Sequence, residues 1–459
     1  MTPTTWTRSH LLPTPANSAA PLPCPLTRLP LPLSFSPVSK HGGQAHFGVF
    51  LNMVLAKAVP AVDGAQWTGV TTTLASQFLA AGRVDAVVVA GATDADPLKP
   101  MPRICRTAEE VQGGRGVKPS LCPSLSILDQ IAEDPSIKRL LYCGVGCSVQ
   151  ALRAVEASLG LDELYVLGTH CVDNSPSVDA TRLFLDAAGI SVAEDEYAGY
   201  EFMADFRVHA KSPSGSYEKV PYFCLPGSVA EKAIAKSCFS CFDYTNGLAD
   251  VVVGYMGAPL ENDGVMTDQL NMITVRNGRG ADILSTSLTS GALELSEIPS
   301  NQKAQLGVSG AMEQGNDDRN KNGVGTGGGP SRATLVTTTT EADSLVVRLT
   351  GGDVREKGMP RWLGEVFATI IGNTAPKGLE FARYSIDYHY LRNWLYVLSD
   401  ESARGGERTV PSYAKAVMAK YDVAFRDGLY EKLRAAEGKP KVSTPLRNYI
   451  AQAKERQRA

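Results

Sequence analysis

Blocks of apolar residues punctuate this chain, and their length and spacing set the expected elements. Short β-branched runs read as buried strands: AVVVAG within 83–91, Leu140–Tyr142, LYVLGTHC up to Cys171, Ala249–Gly254 and Ile273–Val275. From about Cys147 the pattern changes. Val149, Leu152, Val155 and Leu159 fall on one face at helical spacing. Strand, helix, strand in that order predicts a βαβ unit and a parallel sheet. Gly64–Ala80 reads as a loop entering a helix. Ala108–Gln112 and Leu125–Ile131 are short helical pieces, the second amphipathic. Tyr200–Tyr222 alternates loosely, as antiparallel strands do. Trp362–Ile371, Lys377–Tyr396 and Tyr413–Lys432 read as helices. The expected class is α/β: a mixed, largely parallel sheet flanked by helices, with a helical C-terminal extension.

Two stretches fit no packed element. Residues 1–40 hold nine prolines, and no Asp or Glu precedes Asp63. Such a segment builds neither helix nor core. It reads as a disordered leader over 1–45, either transit-like or a plain tail. Residues 307–330 hold eight glycines in 24 positions, which marks 301–332 as a flexible insertion. The expected organisation is therefore the leader, an α/β domain over 46–300, the insertion, and a mainly helical region over 333–459.

Composition narrows the chemistry. At 459 residues and 43% hydrophobic content the chain can bury a large core. A net charge of −3 gives no reason to expect nucleic-acid binding, and no apolar run reaches the length of a membrane span. Nine dispersed cysteines suit reduced thiols and metal ligands better than a disulfide frame.

The densest chemical signal is Ser237–Gly257, SCFSCFDYTNGLADVVVGYMG, with Cys238 and Cys241 three residues apart. Alone, a CxxC pair also fits half a zinc site or a redox dithiol. Cys147, behind a glycine turn at a helix start, and Cys171, at a strand end, lie where open α/β sheets bind ligands. Helix-start amides are expected to lower the Cys147 pKa. Four such thiols can hold a 4Fe-4S cluster, with structural zinc the main competitor and a buried small hydrophobe the ordinary role of each cysteine alone. A second candidate is QWTGVTT. There Gln66, Trp67, Thr68, Gly69 and Thr72 sit at a loop-to-helix junction whose free amides suit the pyrophosphate of FAD, although a capped helix is as consistent. Lys118 and Ser120 offer a charge and a hydroxyl to the same cofactor, and an exposed lysine is the plainer reading. The turn from Gly254 to Gly257 lets a flat ring approach the backbone, or is simply a turn. Asp243 and Tyr244 are proton-relay or packing residues. The helices around Trp362–Trp394 offer apolar surface to a macrocycle or to the core. No residue stands out as catalytic.

CGVGCSVQALR, YVLGTHCVDN, the CxxC stretch and PKGLEFARYSIDYHYLRNWLYV together resemble the 7-hydroxymethyl chlorophyll a reductases of plants and algae. These belong to the deazaflavin-coenzyme hydrogenase/dehydrogenase beta-subunit family. The resemblance runs from about His46 to Asp427. It implies FAD and 4Fe-4S cofactors, reduced ferredoxin as donor, a chlorophyll-type pigment as substrate and a chloroplast location. It also implies reduction of a ring hydroxymethyl group to methyl. On the family pattern Cys147, Cys171, Cys238 and Cys241 match the cluster ligands, and QWTG with Lys118–Ser120 matches the flavin region. The plant enzymes begin with a cysteine-rich ferredoxin-like module, whereas here a proline-rich leader with Cys24 alone takes that place. A ferredoxin-dependent 8-vinyl reductase and a non-catalytic zinc-bound scaffold are the alternatives; a homo-oligomer is compatible with either.

Overall fold

A computed structural model of the chain describes residues 44–418 except 94–95, 191–198, 213–216, 227–228, 230–231, 261–264, 300–301, 303–357 and 400–409. The leader with Cys24, the glycine-rich insertion and the basic C-terminal end therefore fall almost wholly outside the described residues.

The described strands are β1 (Asn52–Ala58), β2 (Ala86–Thr93), β3 (Asp96–Cys105), β4 (Arg139–Val145), β5 (Glu163–Thr169), β6 (Gly199–Phe202), β7 (Arg207–Lys211), β8 (Tyr217–Pro221), β9 (Val251–Gly254), β10 (Asn271–Val275) and β11 (Leu293–Ser296). Eight of them form one mixed sheet in the order β11-β1-β10-β9-β5-β4-β2-β3. Its centre, β9-β5-β4-β2, is parallel, and antiparallel strands extend it on both sides. β6, β7 and β8 make a separate antiparallel sheet. The α/β class with a mixed sheet and helical C-terminal part is as expected.

The parallel centre forms where the β-branched runs lie, because strands covered on both faces need apolar side chains on both. On one face Val88, Leu140, Tyr142, Val166 and Val252 pack with Val149 and Leu152 of the helix Gly146–Val155. On the other, Phe78 of the helix Val70–Ala80 meets Tyr165 edge-on, with ring centroids 4.9 Å apart. The helix Gly278–Thr289 lies so close there that a Cβ on Gly280 would clash with the Asp250 carbonyl.

Some elements differ from the sequence pattern. Leu125–Ile131 is split: Ser124–Ile127 is a tight 3₁₀ turn, and an α-helix begins only at Leu128. β3 carries Pro97, Pro100 and Pro102, which hid it; a proline-bearing strand is tolerated at the sheet edge, where β3 sits. The C-terminal helices run Arg361–Thr374 and Gly378–Ser399, and only Ser412–Met418 of the third is described. Leu379, Ala382, Ile386, Tyr390 and Trp394 join Phe47, Met53, Phe242 and Met272 in one core. Among the described residues, no helix is long and apolar enough to cross a membrane.

Candidate functional site

Register places the site. Val145 pairs with Thr169, and Thr169 with Val253, in parallel ladders. The carboxyl ends of β4, β5 and β9 therefore meet at one sheet edge, and Cys147, Cys171 and Gly254 all emerge there. Cys238 and Cys241 bracket a 3₁₀ turn, Cys238–Ser240, brought to the same edge by the segment after β5: the Ala235 amide donates to the Asn174 carbonyl at 2.9 Å, and the Cys171 amide to Tyr244 O at 3.2 Å.

The four thiols share a neighbourhood. Burial pushes Cys171 well above the ordinary thiol range, and charge on Cys238, Cys147 and Cys241 pushes it further. Cys241 rises to about 11, mainly through burial, with Asp243, Cys147 and Cys238 adding to it. Asn174 Nδ2 donates to Cys171 Sγ at 3.4 Å. For Cys147, the amides of Cys147 and Ser148 do pull the pKa down as the helix start predicts. Loss of water outweighs them, so the thiol is raised rather than lowered. Among the described residues, no three His, Cys, Asp or Glu side chains close to the spacing one metal ion requires. Tetrahedral zinc, with bonds of about 2.3 Å, needs sulfurs about 3.8 Å apart.

The CxxC turn is braced from the long C-terminal helix. Asn393, fully buried, donates to the carbonyls of Cys238 (3.0 Å) and Cys241 and to Tyr244 Oη (2.8 Å). Next to it Arg392 grips both oxygens of Asp173, at 2.6 and 2.8 Å, and covers the Phe239 ring at 5.0 Å. Asp243 accepts from Gln150 Nε2 and from the Gly247 amide, both at 2.8 Å, which is a packing and turn-capping role.

The QWTG loop lies beside β6. Gly69 has φ 91° and precedes a helix start without any side-chain cap. A Cβ there would lie 2.5 Å from that of Val62, so the turn admits only glycine. Trp67 stacks on Tyr255, with centroids 5.3 Å apart and planes 14° from parallel. Thr68 Oγ1 accepts from the Ala58 amide at 3.1 Å, and Thr72 is buried in the helix. Gln66 Oε1 is buried without a partner, the kind of orphaned acceptor a ligand satisfies.

Lys118 and Ser120 are otherwise engaged. Lys118 Nζ donates to the carbonyls of Gly114, Arg115 and Gly116 at 2.9, 2.7 and 3.2 Å, and burial with the Arg115 and Arg103 charges brings it down to about 8. Ser120 Oγ pairs with Thr181 Oγ1 at 2.8 Å. Gly254 lies hard against the His170 ring, leaving no room for a Cβ; Gly257 has φ 93° and faces Leu379. Sequence reasoning missed Arg115, whose guanidinium abuts Gly64 beside the QWTG loop. It also missed Glu201, which burial raises to about 7 although Trp67 hydrogen-bonds its carboxyl. No local motif announces either residue.

Comparison with known proteins places these features in a family. Residues 53–129 match the model for the N-terminal part of the coenzyme F420 hydrogenase/dehydrogenase beta subunit, and residues 137–301 that for its C-terminal part. A 7-hydroxymethyl chlorophyll a reductase, chloroplastic, of Oryza sativa subsp. japonica is 43% identical over 390 residues, spanning 85% of this chain and 74% of its own. An uncharacterised protein of Nostoc sp. is 38% identical over 380 residues, 82% of each chain. A coenzyme F420 hydrogenase subunit beta of Methanosarcina barkeri is 25% identical over 261 residues, 55% of this chain and 84% of its own.

Proposed function

Because the chain belongs to the coenzyme F420 hydrogenase/dehydrogenase beta-subunit family, and within it to the group with the rice reductase, we propose that it reduces 7-hydroxymethyl chlorophyll a to chlorophyll a. The observation that carries the reading is 43% identity sustained over 390 residues. Reduced ferredoxin is the proposed donor and the chloroplast the proposed location. The overall step is R–CH₂OH + 2 e⁻ + 2 H⁺ → R–CH₃ + H₂O.

The residues present suit the cofactors this chemistry needs. Four thiols that bias one another, without the tight spacing of a mononuclear site, suit a four-iron cluster, which stands between its ligands and holds them apart. Cys147, Cys171, Cys238 and Cys241 would hold it. An uncapped helix start behind a left-handed glycine, an orphaned Gln66 oxygen and the nearby Arg115 suit FAD, with its pyrophosphate at the helix start. Gln66, Trp67, Thr68, Gly69 and Thr72 would line it. Lys118 and Ser120 would shape that wall through their backbone and hydroxyl partners, and Gly254 and Gly257 would let the strand end pack closely on His170 and Leu379 beside it. When bound, the two groups supply single-electron transfer and its pairing into a hydride. The chain's own part is to orient the pigment, exclude water and deliver a proton to the departing oxygen.

The test is anaerobic incubation of reconstituted protein with reduced ferredoxin and 7-hydroxymethyl chlorophyll a, followed by pigment analysis. Chlorophyll a is the expected product. Turnover of 8-vinyl precursors alone would move the assignment to a vinyl reductase, and a colourless protein with one zinc would make it a scaffold. Cys147→Ser and Cys238→Ser are expected to lose the four-iron complement by iron and sulfide analysis; wild-type iron in both would remove them from the ligand set.

A further inference from the structure

The small sheet has two unlike faces, one buried and the other partly so. One is apolar: Tyr200, Val208, Ala210 and Val220 pack on Phe184 and Leu185 of the helix Val178–Ala188. The other carries ionisable groups in cross-strand rows, Glu201 opposite His209 and Lys211 opposite Tyr217. His209 is 1% exposed and Lys211 9%. Ionisable groups are costly to bury unless a partner or a task holds them there.

Most have a partner. Tyr217 Oη accepts the Met266 amide at 3.1 Å and lies 2.7 Å from His209 Nδ1; His209 Nε2 lies 2.8 Å from Asp205 Oδ2. The carboxylate only accepts, so the imidazole proton sits on Nε2 and Tyr217 donates to Nδ1. Lys211 Nζ donates to the Ala65 carbonyl at 2.7 Å, fastening the QWTG loop to this face. Glu201 has the Trp67 indole as its hydrogen-bond donor. Among the described residues, the groups close enough to act on it, or to feel it, are the Trp67 indole and the hydroxyls of Tyr200, Tyr217, Tyr222 and Tyr255, with no cation among them. Of the basic groups on its own face, His209 and Lys211 are committed to Asp205 and Ala65, Arg207 to Glu365, and Lys219, opposite His209, lies over the Tyr217 ring at 5.9 Å. Gly199, two residues before it on β6, abuts the unpartnered Gln66 oxygen.

From this placement we propose that Glu201 is the acid that protonates the departing hydroxyl of the substrate, and that the Tyr217–His209–Asp205 string holds the wall around it. The assignment rests on the reductase reading above. As the C–O bond breaks, the Glu201 proton leaves with the oxygen as water, and a bound reduced flavin would supply the hydride equivalent that completes the new C–H bond. Glu201 is left as a carboxylate and regains its proton from solvent. With a pKa of about 7 the carboxyl is protonated in useful amount at neutral pH, as such an acid must be.

Glu201→Gln tests this, because the amide oxygen still accepts from Trp67 and only the proton is lost. Turnover is expected to fall about 10²–10⁴-fold and to lose its decline on the alkaline side, while flavin content, iron content and flavin reduction by ferredoxin match wild type. A second readout needs no turnover. Tryptophan emission is expected to titrate near pH 7 in wild type, and this step should vanish in both Glu201→Gln and Trp67→Phe. Glu201→Asp, which keeps a proton, should retain the alkaline limb at reduced rate. A wild-type enzyme that turns over while Glu201→Gln keeps pace overturns the Glu201 assignment alone, as does an emission titration that survives in that variant. A wild-type protein that leaves the pigment unchanged overturns the reductase reading, and Glu201's task with it.

Discussion

One amide side chain holds the CxxC turn in shape. Asn393 Nδ2 serves the carbonyls of Cys238 and Cys241 and the hydroxyl of Tyr244, all from a buried position on the long C-terminal helix. In Asn393→Leu those acceptors lose their donor, at about 1–3 kcal/mol for each left buried and unpaired. The variant is expected to lose about 2–4 kcal/mol in chemical denaturation and to retain less iron after desalting. Stability and iron equal to wild type would mean that the turn holds itself. Glu201 makes a pH-dependent contribution at the same scale. Its folded pKa, about 7, lies above the ordinary glutamate value of about 4.5, so its contribution is fully present below about 4.5 and is lost as pH rises through 7. Glu201→Gln should therefore melt above wild type at pH 8, by about 1–3 °C, and the gap should close toward pH 5. A gap unchanged across that range would show that the carboxyl does not titrate there.

At the scale of elements, Asp250 joins three segments of the parallel core. It is 2% exposed, and its Oδ2 accepts the Val166 amide of β5 at 2.7 Å. Its Oδ1 accepts from Arg153 Nη2, near the end of the helix that begins at Gly146, at 3.1 Å, and at 2.8 Å from Nδ2 of Asn277, whose Oδ1 caps the helix Gly278–Thr289. Asp250→Ala leaves the Val166 amide without its acceptor and the partly exposed Arg153 guanidinium without one of its two carboxylates, and is expected to cost about 1–3 kcal/mol, read from the denaturation midpoint. A loss below 1 kcal/mol would mean that Arg153 finds another partner in Glu156, already 3.0 Å away. Asp250 follows the apolar Leu248 and Ala249 and marks the start of β9, yet nothing in the sequence gives it three partners. This is where legibility ends. β4, β5 and β9 were readable because doubly covered strands must be continuously apolar, and the common edge of Cys147 and Cys171 because each follows one of those strands. β3 was masked by its prolines. Glu201 and His209 were unreadable because seven residues of loop and strand separate them, and only the β6–β7 register sets them opposite each other. The His209–Tyr217 pair was hidden for the same reason.

Across the whole molecule, the C-terminal helices share a core with the N-terminal strand and the CxxC segment: Leu379 and Ile386, both fully buried, lie in one cluster with Phe47, Met53, Phe242 and Tyr244. The helix Arg361–Thr374 is different. It leaves Trp362, Val366 and Ile370 exposed at 70%, 48% and 56%, one turn apart along a single stripe. Burial predicts opposite responses on the two helices. Ile386→Ala removes packed methyl groups and opens a cavity, for a loss of about 2–5 kcal/mol. Val366→Ser removes apolar surface that water already reaches, for a change within about 0.5 kcal/mol. The first should also lower the iron retained by the proposed cluster, because Ile386 shares one core cluster with Phe242 and Tyr244, which follow Cys241. The second should leave the iron untouched. Urea denaturation of both variants, with iron content measured on the same samples, checks the pair. An Ile386→Ala variant with full stability but lost iron would separate the helix's bracing of the CxxC turn from its part in the core; equal losses of both would show that core and site stand or fall together.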